Sequence, residues 1–396
     1  LTSVSAWDRF VDEVDRFVAD SLPQAVIDNR NSPLETGTRV MSQELRLASP
    51  TGGRVEYLAG VFLLDHESDV SGVVTLGPDA NRVFGPAGRA SGSAITEFEQ
   101  TTRAAALFGS ATVNLASAWR LTGGVRVSYD EKDAWLSHTS MNGNAAFGMA
   151  FPTNVIGDVS RDETELTWSI NTRYHFSEDV MAFVGVSTGH KTGGFNSARV
   201  PAGTPIEFDA EESINYEIGV KSFWLDRRVL LNATVFHMEL DEFQESVLNP
   251  VTGAGFIVGN AGSREVRGLE AEFTVLPTER LEIGGSVGLL SAEYTDYPDG
   301  TCYGGRTPDG SQPGTCTFDG SRPAFNPRWK YSLTAQWTQP IPGTALEWFV
   351  RGETIYTDEH NQIGNLDPRG FQEDITLYNA RLGVRAVDGR WSVLAW

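Results

Sequence analysis

Along this chain, segments in which every second residue is apolar recur in pairs. The two members of a pair are joined by a turn of two to five residues, and a long polar stretch separates one pair from the next. Seven such turns stand out: Pro50-Thr51-Gly52-Gly53, Ala116-Ser117-Ala118, Ser177-Glu178-Asp179, Asp226-Arg227-Arg228, Pro277-Thr278-Glu279, Pro340-Ile341-Pro342-Gly343 and Asp388-Gly389. Period-two alternation marks strands, because successive side chains point to opposite faces. Short turns at one end and long loops at the other predict an all-β fold, a transmembrane antiparallel β-barrel of the outer-membrane kind. The repeating unit is a hairpin without shared sequence, unlike the tighter units of solenoids and propellers.

The alternation holds strand by strand. Val229, Leu231, Ala233 and Val235 share one face, with Asn232 and Thr234 opposite; Leu281, Ile283, Val287 and Leu289 oppose Glu282 and Ser286. Ile214, Tyr216, Ile218 and Val220 oppose Asn215, Glu217 and Lys221, and Leu346, Trp348 and Val350 oppose Glu347, Arg351 and Glu353. Tyr378, Ala380, Leu382 and Val384 likewise oppose Asn379, Arg381 and Arg385. The runs continue for about ten residues, enough for a tilted strand to cross a bilayer, whereas sandwich strands average about five or six. Aromatics at strand ends, such as Tyr174, Phe176, Phe223, Trp224, Trp329 and Tyr331, suit the membrane interface. Fifteen candidate strands lie between those centred near Ala6 and Val393. Bacterial single-chain barrels have an even number, which predicts further strands outside the sequence. The opening Leu1-Thr2-Ser3-Val4, without a signal segment, and the end in strand pattern at Trp396 read the same way, as a fragment.

In 396 residues no linker or composition shift divides the chain, so one large sheet is expected over residues 1–396. The net charge of −21 argues against nucleic acid as a partner. No apolar run approaches the roughly 18 residues of a membrane helix; in a barrel the two faces of each strand average out. Cys302 and Cys316 share one Gly/Pro/Asp-rich segment and read as a disulfide in an oxidising compartment, with two free thiols as the alternative. A metal site there lacks further ligands nearby, and no cofactor is indicated. H-E-x-x-H does not occur, and no carboxylate pair is tied to a pocket, so no enzyme is expected.

Several motifs resemble those of TonB-dependent outer-membrane receptors, the active-uptake barrels of Gram-negative bacteria. They are Ser42-Gln43-Glu44-Leu45-Arg46-Leu47, Gly189-His190-Lys191-Thr192-Gly193-Gly194-Phe195-Asn196 and Glu211-Glu212-Ser213-Ile214-Asn215-Tyr216-Glu217-Ile218-Gly219-Val220-Lys221. Arg267-Gly268-Leu269-Glu270 with Ala271-Glu272, and Tyr378-Asn379-Ala380-Arg381-Leu382-Gly383-Val384, complete the set. The resemblance implies a barrel of about 22 strands around a plug. On that pattern the plug and about six strands precede Leu1, and one strand follows Trp396. It further implies a monomer in outer-membrane lipid, coupling to TonB through the plug, and a scarce nutrient as cargo. A ferric siderophore is the family's commonest cargo; haem, cobalamin and oligosaccharides are alternatives.

Within this picture the lumen-facing groups Arg126, Arg173, Glu217, Lys221, Glu270, Glu272, Arg351, Glu353, Arg381 and Arg385 are expected to hold the plug. Cargo capture falls to the long loops, approximately 19–37, 66–101, 130–162, 190–212, 240–264, 293–326 and 357–375. Their Trp135, His138, Phe147, Phe151, His190, Phe195, Phe256, Tyr303 and His360 are the candidates to stack on or chelate a ligand. The rival readings are a passive porin, which needs no plug, and a soluble all-β adhesin or enzyme.

Overall fold

The computed structural model describes residues 1–14, 34–77, 92–143, 147, 153–196, 205–248, 256–312 and 314–396. In chain order its strands begin with β1 (Thr2–Val14), β2 (Leu34–Ala48), β3 (Val55–Leu76), β4 (Gly92–Ala116), β5 (Trp119–Gly143), β6 (Asn154–His175) and β7 (Val180–Lys191). There follow β8 (Gly194–Phe195), β9 (Glu207–Phe208), β10 (Glu211–Trp224), β11 (Val229–Asp241), β12 (Gln244–Leu248), β13 (Phe256–Asn260), β14 (Ser263–Thr278) and β15 (Leu281–Asp296). The last are β16 (Gly300–Thr301), β17 (Thr315–Cys316), β18 (Trp329–Pro340), β19 (Leu346–Thr357), β20 (His360–Asn361), β21 (Phe371–Gln372), β22 (Ile375–Ala386) and β23 (Ser392–Ala395).

Fifteen of these form one sheet in the order β1-β2-β3-β4-β5-β6-β7-β10-β11-β14-β15-β18-β19-β22-β23, each antiparallel to its neighbour. The remaining eight pair as hairpins inside the long loops. All seven expected turns join consecutive wall strands. The turn between β10 and β11 puts Leu225, Asp226 and Arg227 at positive φ. Arg227 then reaches Asp179 of the preceding turn at 2.8 Å, and Arg228 Nε donates to the Leu276 carbonyl at the next at 3.0 Å. Three neighbouring turns are thereby tied together.

The register separates the two faces. Val184, Ile218 and Val235 are cross-strand partners, as are Leu333 with Thr354 and Val350 with Leu382. Leu107, Leu166, Ile218 and Leu382 are exposed apolar residues of this outer face, with Ile218 at 56% and Leu382 at 58%. A row of exposed aliphatic side chains is a liability in water and a requirement in hydrocarbon. Tyr174 packs edge-on to Phe176, and Arg227 lies over Phe223, at the turn end of the wall.

The strands are longer than bilayer crossing requires. The polar segments 66–101 and 130–162 were expected to be loops, yet β3, β4, β5 and β6 run through much of them, with 22, 25, 25 and 22 residues. Past the bilayer a strand needs its ladder of hydrogen bonds but no apolar face, so Asp130-Glu131-Lys132-Asp133 continues β5 and Arg161-Asp162-Glu163 continues β6.

Candidate functional site

The inner wall is built from residues alternating with the apolar outer ones. Asn232 donates its amide to Glu272 at 2.7 Å, Asn379 donates to Glu353 at 3.1 Å, and Arg385 pairs with Glu347. Glu270 faces Thr234 and Gly288, Glu217 faces Phe236 and Gly185, and Lys221 faces Asn232. Arg351 and Arg381 are direct cross-strand partners. Arg126 lies over the rings of Phe62 and Phe108, and Arg173 is opposite Phe183 and Arg120. All ten expected lumen residues therefore fall on the face opposite the exposed aliphatic row. Lys221, Asn232, Glu270, Glu272, Ser286 and Lys330 line a depression of 490 Å³. A larger concavity of 1030 Å³, lined by Tyr216, Ile218, Val235, Leu269, Leu289 and Trp329, is dominated by outer-face residues and belongs to the lipid-facing surface.

Two loop assemblies fold onto this inner face at the end of the wall away from the turns. The first is the segment after β7. Phe195 inserts among Phe98, Ala134 and Leu136, backed by Val70, Val159 and Ile206. Burying a ring of this size contributes about 1.5–3 kcal/mol. Lys132 Nζ donates to Thr192 Oγ1 at 2.7 Å and to the Gly193 carbonyl, while Arg161 Nη1 donates to the Phe208 carbonyl at 2.7 Å. The Asn196 amide group clasps Val258 from both ends: Nδ2 donates to the Val258 carbonyl at 3.0 Å and Oδ1 accepts from Val258 N at 2.7 Å, with longer donations from Nδ2 to the Pro205 and Ile206 carbonyls at 3.4 Å. Asn260 repeats this with Asp209, donating to its carbonyl at 2.9 Å and accepting from its N–H at 2.7 Å. The β12–β13 hairpin is thus joined to the segment after β7.

The second assembly is a small apolar core of Leu240, Phe243, Ala261, Tyr294, Tyr297, Cys316 and Phe318, with Leu366 reaching in from the β20–β21 loop. Phe243 stacks on Tyr294 at 5.5 Å, and Tyr297 meets Phe318 at 5.4 Å. Cys302 and Cys316 are joined by a disulfide with Cα atoms 5.1 Å apart. Asp299 accepts hydrogen bonds from Thr315 Oγ1 at 2.7 Å, Gln312 N at 2.8 Å and Ser311 Oγ. Burial alone would push its carboxyl up, but these donors hold it below the usual carboxylate range. Burial, assisted by the Glu245 charge, pushes the Tyr297 phenol up.

The expected ligand contacts are scattered over this architecture. Trp135 is partly exposed on β5 but alternates with the inward Ala134 and Leu136, so it faces the outer side of the wall and not the cargo, while His138 is buried at 3%, with Nδ1 2.8 Å from Thr96 Oγ1. Phe147 and Phe195 are buried, so both act as packing anchors in this structure. The His190 side chain is 8% exposed and stands 3.4 Å from Glu163 and 3.8 Å from Glu165. Tyr303 is partly exposed beside the disulfide, and His360 Nδ1 sits 2.9 Å from the Asp358 carbonyl. Phe256 opens β13, and Phe151 lies outside the described residues. Among the described residues no group of His, Cys, Asp and Glu is arranged to hold a metal. The Asn260 anchor was not singled out from the sequence, and Asn196 entered only as the last residue of a motif, because a lone amide in a polar loop carries no distinguishing pattern.

Comparison with known proteins bears on the whole arrangement. The family model "TonB dependent receptor-like, beta-barrel" matches residues 12–396. The pesticin receptor of Yersinia pestis is 29% identical over 198 residues, covering 50% of this chain and 27% of that receptor. The ferric yersiniabactin uptake receptor FyuA of Yersinia pestis superposes with a TM-score of 0.73 at 17% identity, over 98% of this chain and 51% of that one. The siderophore receptor PiuA of Acinetobacter baumannii gives 0.65 at 17% identity, over 89% and 50%. The chain thus spans about half the length of these receptors of known structure. With an apolar outer face, a polar inner face, short turns and a family match over nearly its full length, the chain belongs to the TonB-dependent receptor β-barrel family of the Gram-negative outer membrane.

Proposed function

We propose that this chain supplies the barrel wall of a monomeric receptor that imports a ferric siderophore through TonB. The observation that carries the reading is the inner face: charged and amide groups in register along β10–β22, with two loop assemblies folded over the same face at the mouth. A passive pore needs an open mouth, whereas a receptor needs positioned loops on a rigid scaffold. Arg126, Arg173, Glu217, Lys221, Glu270, Glu272, Arg351, Glu353, Arg381 and Arg385 are proposed to contact the plug. Tyr303 and His360, the partly exposed members of the expected set that lie in the loops, are proposed as ligand contacts. The named cargoes of FyuA and PiuA support an iron chelate. The test is uptake of radiolabelled ferric siderophores by iron-starved cells with and without the gene, in TonB-positive and TonB-negative backgrounds. Uptake that persists without TonB defeats the proposal.

A further inference from the structure

The net charge of −21 is not spread evenly along the barrel axis. Segments 1–7, 40–64, 104–129, 166–190, 214–238, 268–292, 329–357 and 375–396, which hold the turns and the adjoining strand halves, are close to neutral. Their carboxylates are matched by residues such as Arg54, Arg227, Arg228, Arg280 and Arg390. Nearly the whole negative charge therefore sits at the loop end, which in outer-membrane barrels is the extracellular one. The loop at 358–374 alone carries Asp358, Glu359, Asp367, Glu373 and Asp374 against Arg369.

Most described cations of the mouth are already committed to the protein. Arg161 is held by Glu163 at 2.9 Å and by the Phe208 carbonyl, and Lys132 by Thr192 and Gly193. Arg306 binds the Thr317 carbonyl at 2.6 Å and Asp309 at 3.1 Å, Arg369 clasps Asp367, and Arg264 lies over Phe243. Arg9 in β1 and Arg328 just before β18 are left without a side-chain partner among the described residues. His190, more than nine-tenths buried and with neither ring nitrogen hydrogen-bonded, points at Glu163 and Glu165. These two carboxylates have a single permanent cation, Arg161, within ion-pair reach.

Glu67, Asp69, Glu97, Glu99, Asp133 and Asp158 lie on the outer side of the extended strands, and Glu163 and Glu165 stand beside the buried His190, so the negative field surrounds the loop end. A surface field of one sign changes the arrival rate of charged ligands by roughly 10- to 1,000-fold. From this charge distribution we infer that the receptor admits neutral or cationic iron chelates and repels polyanionic ones. This rests on the uptake reading and narrows its cargo.

The test uses the full-length receptor and stopped-flow binding of three ferric chelates: a cationic tris-hydroxamate, a neutral tris-hydroxamate and a trianionic tris-catecholate. At low salt the trianion should associate at least tenfold more slowly than the other two, and the gap should close at high salt as screening shortens to about 3 Å. A trianion that associates equally fast at low salt overturns the inference. A second arm needs no cargo: for a fluorophore on the exposed loop position Gln362→Cys, the ratio of caesium to iodide quenching constants should exceed that of the free dye at low salt. If no chelate of any charge binds, the uptake reading fails, and this arm still decides the charge inference; a ratio equal to that of the free dye defeats it.

Discussion

Asn232 and Leu231 are adjacent in β11 and meet opposite solvents: Asn232 donates its amide to Glu272 on the inner wall, while Leu231 is 41% exposed on the outer one. Replacing each by arginine separates the faces. Leu231→Arg should cost about 2–4 kcal/mol of barrel stability, and Asn232→Arg far less. Urea titrations of the two variants folded into bilayers provide the measurement, and equal losses would reverse the facing.

The loop closed by Cys302 and Cys316 has a sequence separation of 14. A cross-link of that span restricts the unfolded loop by about 3 kcal/mol in the chain-entropy model. Mass spectrometry of unreduced protein should find the two cysteines linked. The Cys302→Ser variant should be cleaved by protease within 297–321 at least tenfold faster, with the wall strands intact.

Acid should loosen the same loop. The Asp299 carboxyl is held below its usual range, so its contribution is fully present above that range and is lost as pH falls through the lowered value, beneath about 4. The protection factor against hydrogen exchange at Gln312 N should fall below that point in the native protein. Asp299→Asn should show the low protection factor already at neutral pH and little further change.

Asn196 links two loops through one side chain, and removing it leaves the Val258 N–H and carbonyl without that partner. Asn196→Ala should destabilise the β12–β13 hairpin locally by about 1–3 kcal/mol. Exchange at Val258 is the readout, and Phe195→Ala should produce the same loosening from the other side by emptying the Phe98–Leu136 pocket.

Much of the wall was legible because hydrocarbon enforces a strict pattern. Leu231, Val287 and Leu382 must alternate with Asn232, Ser286 and Arg381, so turns and facing follow from period two alone. Beyond the bilayer that constraint lapses. Asp133 and Lys132 both meet water or polar loop groups, the alternation disappears, and a continuing strand looks like a loop. Placement of loop side chains was the least legible feature. Nothing near Phe195 in sequence announces that Phe98 and Leu136 wait for it on other strands, and Asn196 finds Val258 only after two hairpins fold against each other.

The paired amide clamps of Asn196 with Val258 and Asn260 with Asp209 make these two surface segments a single inheritable cassette. Recombination that swaps one of them between related receptors strands polar backbone on the other, so chimaeras and natural diversification alike must exchange the two together.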